Sequence, residues 1–189
     1  EHDACGVGLV ASTEGLKSRK VVEYGIDALK AVWHRGAIDA DGKTGDGAGI
    51  HIEIPKDFFE EKIEVTGHKH DNSELCVGMI FLPRNDYSAQ EQCRTIVESE
   101  LTKRNFSIYG WRQVPVDPSV LGEKAEQTRP EITQVLFTYN DKKVINKSLE
   151  QKLYETRRVI EKEALNNQLN NFYICSFSSK SIIYKGMFL

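Results

Sequence analysis

Apolar residues recur along this chain with two different periods. One apolar stripe repeats at spacings of four, three and four residues and predicts a helix from Ser18 to Gly36; its members are Val22, Ile26, Leu29 and Trp33. After a loop rich in glycine and aspartate, the segment GIHIEI alternates as a strand does and is stopped by Pro55. These patterns predict a helix and a strand joined by a tight loop.

The rest of the chain continues this mixture of elements. Strands are predicted over 6–12, 75–82, 106–116 and 132–139, and helices over 88–103 and 148–165. The final run, FYICSFSSKSIIYKGMFL, has two β-rich stretches around a serine–lysine turn and predicts a hairpin. Because helices and strands do not alternate regularly, the predicted fold class is α+β rather than a parallel βαβ fold.

Composition narrows the class of protein. A chain of 189 residues suffices for one domain or for a fragment of a larger one, and its apolar final residues favour a fragment. The net charge of −3 offers no basic surface to nucleic acid. No apolar run approaches the roughly 20 residues of a membrane-spanning helix. The acidic start, EHDA, is not a secretory signal.

Cysteine and histidine usage predicts no metal site in this chain. The cysteines are too far apart in sequence for a zinc ribbon or a thioredoxin-like pair; they are Cys5, Cys76, Cys93 and Cys175. The five histidines form no cluster with metal-ligand spacing. A chain of this size needs no disulfides to hold a core, so we expect a reducing compartment, which is the cytoplasm or a plastid.

The glycine-rich motifs fail as nucleotide or calcium sites. The stretch GVGLVA at 6–11 fits G-x-G-x-x-A, but too few residues precede it for the strand that a dinucleotide site requires. GKT at 42–44 resembles the end of a phosphate-binding loop, but Ala37 stands where that motif needs glycine. A calcium loop counted from Asp39 fails at its sixth and twelfth positions. The segment DADGKTGDGAG is therefore interpreted as a tight turn.

Cys5 is a candidate nucleophile because of its position. If residues 1–4 are removed, Cys5 becomes the first residue and carries both a thiol and a free α-amine. An α-amine has a pKa of about 7.7–8.0, so a substantial fraction is neutral at physiological pH. It can accept the thiol proton directly or through water, which places nucleophile and base in one residue.

Several motifs together resemble the start of the class II glutamine amidotransferase domain of glutamate synthases. In chain order they are CGVG at 5–8, WHRGA at 33–37, AD at 40–41, TGDGAGI at 44–50, FYICS at 172–176, SS at 178–179 and YKG at 184–186. Their order and separations carry the resemblance, which extends from one end of the chain to the other.

The resemblance implies a fold, a reaction and site residues. The fold would be that of the N-terminal nucleophile hydrolases, an αββα sandwich of two sheets between helical layers, incomplete in this chain. Cys5 would attack the side-chain amide of L-glutamine, form a γ-glutamyl thioester and release ammonia. Arg35 and Gly36 would support the substrate pocket, whereas Cys175 would belong to the core. Residues 1–4 would be a propeptide remnant, and residues 5–189 the N-terminal part of the domain.

The same resemblance places the cofactors outside this chain. It implies FMN and an iron–sulfur cluster in the remaining domains of the synthase, where ammonia would aminate 2-oxoglutarate. The electron donor would be a small subunit or ferredoxin. The family's oxyanion and glutamine-carboxylate segments would follow Leu189, so the fragment alone is expected to be inactive.

Two alternative functions remain open from the sequence. One is a class II amidotransferase that passes ammonia to another acceptor, such as a sugar phosphate or the precursor of asparagine. The other is a non-catalytic fragment that serves as a binding or assembly module. Exposure of Cys5 by processing would separate the catalytic functions from the non-catalytic one.

Overall fold

The computed structural model describes residues 6–32, 36–69, 73–145 and 147–186. The α-helices in these ranges are α1 (Arg19–Ala31), α2 (Lys56–Val65), α3 (Tyr87–Lys103), α4 (Glu123–Thr128) and α5 (Lys147–Asn166). The strands are β1 (Ala48–Glu53), β2 (Leu75–Leu82), β3 (Phe106–Gln113), β4 (Glu131–Tyr139), β5 (Tyr173–Ser178) and β6 (Ser181–Gly186). Mixed helices and antiparallel strands confirm the α+β class and agree with an N-terminal nucleophile hydrolase-like domain.

The larger sheet has four strands in the order β3-β4-β2-β5, and each neighbouring pair is antiparallel. The central pair keeps one register along its whole length, from Leu75 opposite Thr138 to Leu82 opposite Glu131. All residues of β2 except the half-buried Phe81 are buried. Burial on both faces explains why β2 is almost entirely apolar rather than alternating.

Helices α3 and α5 pack on one another and on this sheet, and their apolar stripes supply much of its core. The stripes follow helical spacing and consist of Cys93, Val97 and Leu101 on α3 and Leu149, Leu153, Ile160 and Ala164 on α5. Alternate residues of β2, namely Cys76, Ile80 and Leu82, belong to the same cluster. Burial of these apolar residues stabilises the packing of the two helices on the four-stranded sheet through the hydrophobic effect.

The chain divides into two compact units. The first includes the chain up to Ile52, Asp117–Thr128 and the chain from Tyr184, and the second consists of Glu53–Val116 and Arg129–Ile183. The four-stranded sheet belongs to the second unit. The first unit contains α1, α4 and most of β1, and it also contains the tight glycine-rich loop.

Helix α1 begins where the sequence predicts. The Ser18 side chain caps it by accepting a hydrogen bond from the Lys20 amide at 3.2 Å. Val22, Ile26 and Leu29 of the predicted stripe are half-buried. An added Cβ at Gly25 would lie 3.5 Å from Ile50 Cδ1, so this face of the helix lies near β1. The helix ends at Ala31, before the predicted end at Gly36.

Several other predicted elements require correction. Residues 6–12 form no strand: Val7 and Leu9 are 97% and 91% exposed, and a strand needs a pairing partner that these residues lack among the described parts of the chain. The predicted terminal hairpin is also wrong, because β5 pairs with β2 whereas β6 pairs with β1. Helix α2 was not predicted; its core residues are Phe59 and Ile63.

Candidate active site

Of the predicted site residues, the structure describes only Gly36. Cys5 and Arg35 lie outside the described residues. Gly36 is an exposed residue in a bend that directly precedes a tight hairpin. The hairpin, defined here as residues 37–46, therefore shows how the chain is held immediately after the predicted pocket residues.

Asp46 closes the base of the hairpin with its backbone and its side chain. The Ala37 amide donates to Asp46 Oδ2 at 2.8 Å, and the Asp46 amide donates to the Ala37 carbonyl at 3.1 Å. Ile38 and Gly45 form a β-bridge, and the Asp39 amide donates to the Thr44 carbonyl at 2.7 Å. Ala37 is thus bonded at both its backbone amide and its carbonyl.

Asp41 organises the turn at the tip of the hairpin. Its Oδ1 accepts from the amides of Lys43 at 2.9 Å and Thr44 at 2.6 Å, and its Oδ2 accepts from the Thr44 hydroxyl at 2.5 Å. Gly42 has φ +69°, the left-handed conformation that such a turn requires. These bonds favour the charged carboxylate, and the Thr44 side chain contributes most to lowering the pKa of Asp41 to about 2.

A distant segment of the first unit packs on this turn. Lys124 Nζ donates to Asp39 Oδ2 at 2.7 Å across a sequence separation of 85 residues. This hydrogen bond is the main cause of the lowered pKa of Asp39 and of the raised pKa of Lys124. A Cβ added to Gly122 would lie 2.8 Å from Asp41 Cγ and would overlap the Thr44 hydroxyl. The turn is therefore in direct contact with the backbone at Gly122.

The glycines after the hairpin allow two backbones to approach closely. An added Cβ would lie 3.0 Å from the Tyr184 carbonyl at Gly49 and 3.6 Å from the Gly186 carbonyl at Gly47. These nearest atoms belong to β6, which pairs with β1.

The amides of the loop that resembles the end of a phosphate-binding motif are bonded within the loop itself. A phosphate would need free backbone amides, whereas the amides of Lys43 and Thr44 already donate to Asp41. Within the described ranges, no group of three or more histidine, cysteine or acidic residues could hold a metal ion.

The three described cysteines are buried free thiols. Desolvation raises the pKa of Cys76 well above its usual value and that of Cys93 to about 11. Because a thiolate is the reactive species, neither residue is suited to nucleophilic attack at neutral pH. Cys175 is buried on β5, as predicted, and its thiol donates to the Ile183 carbonyl at 3.4 Å.

Sequence reasoning missed four residues of this site: Asp41, Asp46, Gly122 and Lys124. The spacing of Asp41 and Thr44 is typical of an aspartate that caps its own turn, so this signal could have been recognised. Gly122 and Lys124 belong to a proline-containing segment far along the chain. No local pattern pairs them with residues 39–44.

Comparison with known proteins identifies the family. A profile for the class II glutamine amidotransferases matches residues 5–189. The chain belongs to this family. The matched region begins at Cys5 and covers the whole hairpin as well as Gly122 and Lys124.

The relatives of this class II glutamine amidotransferase chain include glutamate synthases. It is 57% identical over 189 residues to the glutamate synthase [NADPH] large chain of Azospirillum brasilense, covering 100% of this chain and 12% of the relative. It is 38% identical over 188 residues to ferredoxin-dependent glutamate synthase 2 of Synechocystis, with 99% and 12% covered. The chloroplastic ferredoxin-dependent glutamate synthase 2 of Arabidopsis thaliana is 37% identical over 190 residues, with the same coverage. The predicted resemblance is confirmed.

The amidotransferase chain spans about 12% of the length of these curated relatives. Within its described ranges, none of the helices has the length and apolar character needed to cross a membrane.

Proposed function

We propose that this chain is the N-terminal part of the glutaminase domain of a glutamate synthase, with residues 5–189 in the domain and residues 1–4 removed as a propeptide. The observation that carries the proposal is the family match, which begins at Cys5 and continues through the hairpin and β6. The described cysteines support Cys5 as the nucleophile, because Cys76, Cys93 and Cys175 are all buried. The relatives reported above favour glutamate synthesis over other ammonia acceptors.

The proposed reaction has two halves that share one proton acceptor. The α-amine of mature Cys5 takes the thiol proton, and sulfur attacks the side-chain carbonyl carbon of glutamine. The carbon–nitrogen bond breaks, the leaving nitrogen receives the proton, and ammonia departs from a γ-glutamyl thioester. Water then gives a proton to the amine and attacks the thioester, the carbon–sulfur bond breaks, and glutamate leaves as the thiol is restored.

Arg35 and Gly36 are proposed to support the glutamine pocket. Gly36 directly precedes Ala37, whose amide and carbonyl are both bonded to Asp46. Such anchoring favours a preorganised pocket, which lowers the entropic cost of aligning substrate with nucleophile.

In the full-length protein, ammonia would pass to other domains that aminate 2-oxoglutarate. FMN would supply the reducing electrons there and an iron–sulfur cluster would relay them, and neither group is assigned to residues of this chain. The relative at 57% identity is named for NADPH and those near 38% are named for ferredoxin, which favours a pyridine-nucleotide donor delivered through a second subunit. The buried free thiols favour a reducing compartment, which we take to be the cytoplasm.

The first prediction concerns the nucleophile. In the full-length protein, Cys5→Ala should abolish glutamine hydrolysis, because removal of a catalytic nucleophile has cost on the order of 10⁶-fold in kcat in a well-studied hydrolase. A glutamine-like diazo-ketone should label Cys5 in the wild type. The control Cys175→Ala removes a buried thiol and should retain hydrolysis. Labelling confined to Cys76 or Cys93 would contradict the assignment.

The second prediction concerns the amine. Intact mass and N-terminal sequencing of active full-length protein should show Cys5 as the first residue. An active enzyme that retains Glu1–Ala4 would exclude the α-amine as the base, since its nitrogen would then be an amide.

A further inference from the structure

We propose that the segment Asp117–Thr128, called the brace here, positions Gly36, a residue of the proposed glutamine pocket, by holding the hairpin that follows it. Gly122 and Lys124 are the positioning residues. The inference rests on the glutaminase function proposed above and adds to it a segment that lies far from the nucleophile in sequence.

Gly122 is required at its position by space rather than by backbone conformation. Its φ is not among the positive values that favour glycine. A Cβ there would lie 2.8 Å from Asp41 Cγ and still closer to Asp41 Oδ2 and Thr44 Oγ1. Any side chain at this position would therefore displace the carboxylate that organises the turn.

Lys124 makes the second contact between the brace and the hairpin. Its ammonium donates to Asp39 Oδ2 at 2.7 Å, while Asp39 Oδ1 accepts from the Ala40 amide at 2.6 Å. The pair is partly exposed and contributes little to global stability. The effect of this ion pair is local, because it fixes Asp39, which lies across the hairpin from Thr44.

The brace has its own internal bonds, so it can serve as a fixed support. The Asp117 carboxylate accepts from the Ser119 amide at 3.0 Å and from the Ser119 hydroxyl at 2.6 Å. The Leu121 amide donates to the Pro118 carbonyl at 3.1 Å, and the Glu126 amide donates to the Gly122 carbonyl at 3.0 Å. These bonds hold Gly122 between a short 3₁₀ turn and α4.

A chain of hydrogen bonds connects the brace to the predicted pocket. The Lys124 ammonium donates to the Asp39 carboxylate, and the Asp39 amide donates to the Thr44 carbonyl across the hairpin. Two residues after Thr44, Asp46 bonds to both the amide and the carbonyl of Ala37. Gly36 directly precedes Ala37, so their Cα atoms are about 3.8 Å apart. Displacing the turn therefore permits displacement of the pocket backbone, and a misplacement of about 1 Å can cost on the order of 100-fold in rate.

The test uses full-length protein and two kinds of substitution. Gly122→Ala blocks the contact with Asp41. Lys124→Asp places like charges together, and the double variant Asp39→Lys with Lys124→Asp restores an opposite pair. Gly186→Ala is the matched glycine control, because an added Cβ there meets nothing within 4 Å. Glu123→Gln is the matched charge control beside Lys124.

Two measurements are made on each variant. Hydrogen exchange of peptides within 36–47 reports the hairpin directly and does not depend on catalysis. Glutamine kcat and KM are expressed per Cys5 that reacts with the diazo-ketone, so that unfolded protein does not count. We expect G122A to increase exchange and to lower kcat by at least about tenfold. K124D should lower kcat by less than G122A does. The double variant Asp39→Lys with Lys124→Asp should have exchange and kcat values closer to those of the wild type than K124D has.

The possible outcomes distinguish failure of the proposed brace from failure of the proposed glutaminase function. Unchanged exchange in G122A would overturn the brace whatever the activity. Increased exchange with unchanged kcat, in an enzyme that depends on Cys5, would overturn the positioning role alone. Equal losses in G122A and G186A would also overturn it. Wild-type protein without Cys5-dependent glutamine hydrolysis would overturn the proposed function, and the positioning role with it.

Discussion

Asp41 accepts three hydrogen bonds with one carboxylate, and this arrangement determines its response to pH. Its pKa is lowered to about 2, against about 3.9 in an unfolded chain. A carboxyl group with a depressed folded pKa stabilises the folded state above its unfolded pKa, and this stabilisation is lost as pH falls through the folded pKa. We expect the turn to be insensitive to pH from about 8 to 5 and to weaken between about 4 and 2.

The pH prediction can be checked by following the side-chain carboxyl carbon of Asp41 by NMR. Its titration midpoint should lie near 2, because Thr44 and Lys43 donate to the charged form. Asp41→Asn provides the control, since it removes this titration and leaves other carboxyls in place. A midpoint near 3.9 would mean that the three bonds do not persist in solution.

Gly78 tests the packing of the larger sheet. A Cβ there would lie 2.7 Å from Val135 Cγ1 and 2.8 Å from the Phe177 ring. Gly78→Ala should therefore lower the free energy of local opening of β2 by about 1–3 kcal/mol, the usual cost of overpacking. Gly8→Ala, where an added Cβ meets nothing within 4 Å, is the control. Native-state hydrogen exchange of β2 peptides measures the local opening free energy in both variants. Equal free energies in G78A and G8A would contradict the packing argument.

At the scale of single residues, the sequence predicts the role of a residue when its partner is close along the chain. It does not predict that role when the partner is far away in sequence. Ser18 is recognisable as a helix cap because its acceptor role involves only Lys20. Gly122 looks like an ordinary loop glycine until Asp41 is placed against it. Local patterns determine local bonds, whereas contacts across 80 residues depend on the whole fold.

At the scale of elements, the most consequential feature is the passage of the chain between two sheets. Strand β5 ends at Ser178 in the four-stranded sheet, and β6 begins at Ser181 in the two-stranded sheet. Glu150 of α5 holds this corner: its carboxylate accepts from the Ser178 hydroxyl at 2.9 Å, and from the amide and hydroxyl of Ser179, both at 2.8 Å. The two strands therefore belong to different sheets and do not form one hairpin.

Removal of the Glu150 carboxylate should loosen this corner. Ser179 is 2% exposed, so its amide and hydroxyl would lose an acceptor that solvent cannot readily replace. Glu150→Ala should lower the local opening free energy of residues 173–186 by about 1–3 kcal/mol, and Glu150→Gln, which keeps one acceptor oxygen, by less. Glu155→Ala on the exposed part of α5 is the control. Hydrogen exchange that is equal in E150A and E155A would contradict this role.

Most elements of the second unit could be predicted because they are long and strongly patterned. Strand β2 coincides with the predicted 75–82, and α3 and α5 begin within one residue of their predicted starts. The corner at Ser178–Ser181 was mistaken for a hairpin because a turn signal does not specify which strand pairs with which. Residues 6–12 have strand-like composition, but composition supplies no partner.

At the scale of the whole molecule, the chain covers 12% of the length of its curated relatives, which are therefore about eight times longer. A glutaminase within such a protein should be needed only as a source of ammonia. The function proposed above predicts that the full-length protein forms glutamate from 2-oxoglutarate and glutamine with NADPH. In Cys5→Ala, glutamine-dependent synthesis should be lost and synthesis from added ammonium salt should persist.

Synthesis from 2-oxoglutarate is followed by oxidation of NADPH, with reduced ferredoxin as the alternative donor in a parallel assay. The matched control is Cys175→Ala, which should support both nitrogen sources. Loss of both glutamine-dependent and ammonium-dependent synthesis in C5A would indicate that Cys5 is needed for the structure of the protein rather than for the supply of ammonia. Activity with ferredoxin alone would exclude the pyridine-nucleotide donor.

The brace also bears on how this protein can be engineered. With three prolines and a short polar helix, the connection between β3 and β4 looks like a natural place to splice a fluorescent reporter or an affinity tag. Its packing on Asp41 and Asp39 argues against that choice, because any inserted peptide would pull Gly122 and Lys124 away from their partners. The exposed turn around Lys142, before α5, is the safer splice point.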